Sequence, residues 1–250
     1  MDNEKSKILV LVEGEKTDHK LMEHLLRMYG IDESHEIISY NTNIYTLYNE
    51  MFLDGDPASV DILQNLKEHE RDPEKKKLFD ARYSDVLLIF DLDPQDPLFS
   101  ADKILEMISF FVESSDMGKL YLNYPMVEAF YHMKSIPDED YNNYIVSMKE
   151  LLTGTYKQRV NRENRNHDYR KFAVDKSECN TVIKQNIEKA WLIAETERVV
   201  DGITQLVPAS AEILKQQLKK MEEQQLLSVL CTCVFYIADY NPDLLSNSSQ

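Results

Sequence analysis

The chain has 250 residues, 43% of them apolar or aromatic, which is enough for a substantial core and too many for a disordered tail. Its 28 lysines and arginines against 44 aspartates and glutamates leave a formal net charge of −16, so indiscriminate long-range attraction to nucleic acid or an anionic membrane is disfavoured. The odd set Cys179, Cys231 and Cys233, without C-x-x-C spacing, excludes a disulfide framework and a cysteine-ligated zinc site.

The N-terminal stretch MDNEKSKILVLVEGEK puts acids first and interrupts a short apolar run with Glu13, unlike a secretory signal. Ile8 to Val12 reads as a strand buried on both faces of a parallel sheet, ending at Glu13-Gly14. A helix follows, with Thr17 or Asp18 as N-cap, Leu21, Leu25 and Met28 on one face, and Gly30 as its stop. Glu36 to Tyr40 is a second strand. Residues 43–80 then read as a polar, helix-compatible insertion, broken at Asp54-Gly55-Asp56-Pro57 and at Asp72-Pro73. Val86 to Phe90 is the strongest buried-strand signal and runs into Asp91-Leu92-Asp93-Pro94. Ile104, Met107, Ile108 and Phe111 have helical spacing, Lys119 to Leu122 is a fourth strand, and Met126 to Met133 is expected to be helical.

Strands alternating with helices imply a mainly parallel four-stranded α/β sheet, Rossmann-like and flanked by helices, over residues 1–135. Residues 136–250 show no strand signal. There Val182, Ile187, Ala190, Trp191 and Ala194 share a helical face, as do Ala211, Leu214, Leu218 and Met221, so an α-helical extension is expected. The apolar run from Leu226 to Ala238 falls short of the roughly 20 residues that span a bilayer. A cytoplasmic protein with no membrane partner is expected, its polar end from Ser246 to Gln250 fraying.

Open parallel sheets bind ligands beyond the carboxyl ends of their strands, and here those ends carry acid. Glu13 closes the first strand, Asp91 and Asp93 the third, and Glu128 follows the fourth. Residues two apart in extended backbone share a face, and neighbouring strands lie about 4.8 Å apart, so these carboxylates can converge. Convergence without a counter-charge is repulsive, and a divalent cation removes the penalty. All-oxygen ligation favours Mg2+ or Mn2+, ions suited to phosphoryl chemistry.

LVLVEGEKTD resembles the glutamate-bearing first strand of the TOPRIM domain, LLIFDLD its Asp-x-Asp strand, and NYPMVEAFYHMK the Asn-Pro-x-x-Glu stretch of RloB-like and OLD-like members. The resemblance covers residues 8 to about 134. It implies a TOPRIM-like catalytic domain in which Glu13 serves acid/base chemistry or metal binding, Asp91 and Asp93 bind magnesium, and Glu128 joins them. It also implies a metal-dependent nuclease acting in bacterial phage defence or abortive infection, with a protein partner or self-association. IFDLD is similar as well to the nucleophile strand of haloacid-dehalogenase-like phosphatases, and a non-catalytic binding or scaffold module is the third reading.

Lys157, Arg159, Arg162, Arg165, Arg170 and Lys171 outnumber Glu163 and Asp168 over residues 157–171, with Tyr156, Tyr169 and Phe172 flanking or interrupting them. Basic groups neutralise phosphates and aromatic faces stack unpaired bases, which makes this strip the nucleic-acid candidate, with Lys16 as a further phosphate contact. A solvated run pairing with the protein's own acids has equal standing. His19, His24 and His132 lack paired metal-ligand spacing and read as ordinary, and Cys231 and Cys233 read as core positions facing different ways on a helix.

Overall fold

A computed structural model describes residues 7–53, 56–115, 117–200 and 202–246, so half of the Asp54–Pro57 break and residues 247–250 lie outside the described residues. The chain divides into two compact units, Met1–Phe90 with Asp102–Tyr121 and Asp91–Ala101 with Leu122–Gln250. No helix among the described residues is long and apolar enough to cross a membrane.

In the first unit, β1 (Lys7–Val12) is followed by α1 (Thr17–Met28) and β2 (His35–Ser39). α1 buries Leu21, Met22, Leu25 and Leu26. Its N-cap is Lys16, which makes no side-chain cap bond, rather than Thr17 or Asp18, while Gly30 adopts φ +67° just past its end. The insertion forms α2 (Ile44–Phe52), α3 (Ile62–His69) and α4 (Pro73–Leu78). Each starts where an Asn or Asp side chain accepts backbone N–H bonds, namely Asn43, Asp61 and Asp72, and Pro73 occupies a first-turn position that needs no donor.

β3 (Tyr83–Asp91), α5 (Ala101–Phe110), β4 (Val112–Glu113) and β5 (Gly118–Asn123) complete a five-stranded, mostly parallel sheet in the order β2-β1-β3-β5-β4. β1 pairs parallel with β2 on one side and β3 on the other, with Val10 opposite Ile37 and Leu87, which is why its apolar run does not alternate. The expected four strands are present. The fifth, β4, is an exposed two-residue pairing antiparallel to β5, too short to leave a periodic signature.

Gly118 takes φ +119°, and a Cβ there would lie 3.4 Å from the Val86 carbonyl oxygen. Gly118→Ala is expected to cost about 1–3 kcal/mol, read as a lower urea midpoint at unchanged m-value.

The second unit departs from a purely helical extension. Met126–Met133 is not an α-helix but holds a 3-10 stretch, Val127–Tyr131, buried throughout, because its backbone bonds close over three residues, from Ala129 N–H to the Met126 carbonyl and from His132 N–H to the Ala129 carbonyl. β6 (Ile145–Ser147) leads to α6 (Met148–Leu152), α7 (Thr155–Glu163) and α8 (Lys176–Ala194). β7 (Val199–Val200) and β8 (Ile203–Thr204) form a hairpin, followed by α9 (Ser210–Gln224), β9 (Leu226–Ser228) and α10 (Phe235–Tyr240). β6 and β9 pair antiparallel, and runs of two or three residues such as these are below the length at which alternation shows. α8 buries its expected face. α9 buries Ile213, Leu214, Gln217 and Leu218, with Ala211 and Met221 half-buried.

Cys231 and Cys233 are not on a helix. Because β9 takes up the start of the apolar run, both lie in the segment between β9 and α10, buried, with their sulfurs 3.3 Å apart.

Candidate metal centre

Glu13 follows β1 directly, its N–H donating to the Ile89 carbonyl (3.1 Å) and its carbonyl accepting from Asn41 N–H (2.9 Å). The half-buried glutamate thus sits where the β1–β3 pairing ends. Asp91, 7% exposed, is the last residue of β3. Beyond it, Leu92 N–H donates to the Asn123 carbonyl (3.0 Å) and Asp93 N–H to the Pro125 carbonyl (3.1 Å), so hydrogen bonding outlasts the strand. Asp93 has φ +40°, a left-handed conformation that aspartate tolerates better than most residues. The two aspartates are therefore brought round by a turn and not by the two-residue alternation of extended backbone.

One carboxylate oxygen from each of Glu13, Asp91 and Asp93 lies within 4.8 Å of the other two. Asn123, fully buried, orients Asp91: its Nδ2 donates to Asp91 Oδ1 (3.2 Å) while its Oδ1 accepts from the N–H groups of Thr232 (3.1 Å) and Cys233 (3.3 Å). Two backbone donors on the oxygen fix which way the amide faces. Gln95 Nε2 donates to Asp93 Oδ1 at 2.9 Å.

Glu128 stands outside the group of three. Only 5% exposed, it accepts from Lys157 Nζ at 3.0 Å through Oε1, while Oε2 is buried without a hydrogen-bond partner, as is Gln95 Oε1. Burial pushes Asp93 above the usual carboxylate range, with repulsion from Glu128 and Asp96 added and Gln95 and Lys157 opposing. Burial works against the Lys157 ammonium, but Glu128, Asp91 and Asp93 outweigh it and hold its pKa above the ordinary lysine value. One cation therefore already faces an excess of carboxylates.

The remaining basic residues are mostly engaged with the protein's own acids. Arg159 pairs with Glu150 (3.0 Å) and the Ile145 carbonyl (2.6 Å), Arg162 with Glu163 (3.4 Å), Arg165 with both oxygens of Glu178 (2.6 and 3.2 Å) and Arg170 with Asp168 (3.0 Å). Lys171 and Lys16 are exposed. The expected base-stacking faces are not free: Tyr156 and Phe172 are core residues and Tyr169 stacks on Tyr131 at 4.1 Å, because their helical and 3-10 segments turn the rings inward. Asn123 and Gln95 escaped the sequence reading, although Asn123 opens the Asn-Tyr-Pro stretch and Gln95 lies two residues past Asp93.

His132, 1% exposed, sits between Glu163 (Nε2 to Oε2, 3.1 Å) and the Tyr156 hydroxyl (Nδ1, 3.3 Å). Burial lowers its pKa to about 4, so the folded protein takes up a proton less readily than the unfolded chain, with its ordinary value of 6.5. The resulting stability is present above pH 6.5 and is lost as the pH falls toward 4. Across that window the unfolding free energy is expected to fall by about 3 kcal/mol more in the parent than in a His132→Gln protein, measured by urea titrations at stepped pH.

No family model, curated protein or solved structure matches this chain.

Proposed function

We propose that the protein is a nuclease that hydrolyses phosphodiester bonds of DNA or RNA with Mg2+ or Mn2+ held by Glu13, Asp91 and Asp93. The observation that carries this reading is the approach of three carboxylate oxygens to within 4.8 Å of one another at strand ends. The donor set is all oxygen, as hard divalent cations require, and the buried acceptors Glu128 Oε2 and Gln95 Oε1 are suited to hydrogen bonds from a hydrated cation. A bound cation would supply charge neutralisation at the phosphodiester and ease deprotonation of water.

The chain's own groups divide the remaining work. Asn123 and Gln95 hold Asp91 and Asp93 in place, so little ordering is left to be done on binding. The Lys157 side chain, 58% exposed, can meet a phosphate oxygen while its ammonium stays on Glu128. Glu13, half-buried, would take up a proton from water in acid/base chemistry beside the metal. The RloB-like and OLD-like resemblance favours a setting in bacterial phage defence.

Incubation with plasmid, single-stranded DNA and tRNA tests the reading. Cleavage of at least one substrate with Mg2+ or Mn2+, abolished by chelation and restored by the metal, is the expected result. Inertness on all three with either metal, or cleavage that persists in chelator, contradicts it.

A further inference from the structure

A second charged site lies elsewhere in the second unit, along α8 and α9. A cavity of about 380 Å³ is lined there by Lys189 from α8, by Lys219 and Lys220 from α9, and by Ser228 of β9. Lys189 is 1% exposed. Its Nζ donates to the Tyr141 (2.6 Å) and Tyr144 (2.9 Å) carbonyls and lies 4.3 Å from the Tyr141 ring centroid, and its charged form carries one hydrogen beyond those two bonds. Lys220 Nζ donates to Ser228 Oγ at 2.9 Å, leaving two hydrogens. Neither lysine forms an ion pair among the described residues, although Glu195 and Glu223 also line the cavity and are exposed.

Two buried or part-buried amines facing one polar cavity without a carboxylate partner are costly to charge. Burial lowers Lys189 to about 6, with the Lys220 charge adding to the effect and Asp138 opposing it, and burial lowers Lys220 as well. The Lys189 carbonyl bonds account for a role in holding the Tyr141–Tyr144 turn. They do not account for a second lysine directed at the same space.

We propose that this cavity binds a phosphate group, free or carried by a nucleotide, between Lys189 and Lys220. A dianion there would offset the mutual repulsion of the two amines and accept the hydrogens left over by their protein partners. The volume is within the range of small-ligand sites and admits a nucleoside monophosphate as well as the bare anion. Gln217 belongs to the wall, because both ends of its amide are bonded to Ser228 backbone (2.8 and 2.9 Å). Lys219 at the exposed rim adds attraction.

Isothermal titration of the full chain in chelator, with sulfate, inorganic phosphate and AMP as probes, tests the proposal independently of the nuclease reading. Saturable one-site binding is expected. With sulfate, which does not titrate near neutrality, binding should draw net protons from the buffer as Lys189 regains its charge. Lys220→Met, checked for folding by circular dichroism, should weaken binding about tenfold or more, and Lys184→Met on the exposed face of α8 should leave it unchanged. Tighter binding of AMP than of phosphate identifies a nucleotide as the source, and equal binding identifies the free anion. Absence of saturable binding by all three probes, absence of proton uptake with sulfate, or parental affinity in Lys220→Met overturns the proposal.

Discussion

Asp93→Asn and Asp91→Asn proteins are expected to lose metal-dependent cleavage by about a thousandfold or more, while Asp93→Asn melts no lower than the parent in chelator. The two halves of this expectation have one cause. Burial and the neighbouring Glu128 and Asp96 make an ionised Asp93 unfavourable in the folded protein, and Lys157 and Gln95 only partly offset the cost. A neutral amide of the same shape removes the repulsion and, with it, the ability to hold a hard cation. A structural acid behaves in the opposite way: its removal lowers the melting temperature and leaves activity intact. Cleavage rates measured beside melting temperatures in chelator and in Mn2+ separate the two cases. An Asp93→Asn protein that cleaves at the parental rate, or that melts several degrees lower in chelator, contradicts the metal assignment.

Replacement of Asn123 is expected to have the largest effect on stability. The side chain is fully buried and bonded to Asp91 Oδ1 and to the N–H groups of Thr232 and Cys233. Asn123→Leu keeps the volume but leaves two buried N–H groups and one carboxylate oxygen without this partner. At about 1 kcal/mol for each lost backbone bond and about 2 kcal/mol for the bond to the carboxylate, the loss is about 4 kcal/mol, a large part of the 5–15 kcal/mol that holds an ordinary domain folded. Asn123→Asp restores the acceptor for both N–H groups but sets a carboxylate against Asp91. Its melting temperature should therefore rise more on addition of Mn2+ than the parent's does. Urea unfolding of the Leu variant and metal-dependent melting of the Asp variant check both statements. A Leu variant within about 1 kcal/mol of the parent would show that the Asn123 bonds carry little weight.

The first half of the fold was legible because its signals are long. Ile8–Val12 and Val86–Phe90 are continuous apolar runs of strand length, as strands buried on both faces require, and Asn43, Asp61 and Asp72 mark helix starts by their own hydrogen bonds. The second half was less legible because its pairings are short. Ile145–Ser147 and Leu226–Ser228 are held by partners 79 to 83 residues apart, from Ser147 opposite Leu226 to Ile145 opposite Ser228, and nothing local announces them. That pairing also takes Cys231 and Cys233 off the helix they would otherwise share.

At the site, the acids could be named from sequence because strand ends are where ligands bind in open α/β sheets. The groups that orient them could not. Asn123 acts through Thr232 and Cys233, more than a hundred residues away, and Lys157 meets Glu128 only because α7 follows the β6–α6 turn. The basic strip shows the converse. Six cations in one stretch suggested a polyanion surface, yet five of them have found acids of the same chain, and only Lys171 lacks an ion pair among the described residues.

Anomalous diffraction at the manganese edge from crystals soaked in Mn2+ tests the central claim most directly. The expected map has a peak bounded by the carboxylates of Glu13, Asp91 and Asp93 that disappears in Asp91→Asn crystals soaked in the same way. Full soaking with no peak at those three side chains, or a peak there that survives the substitution at undiminished height, would contradict the account.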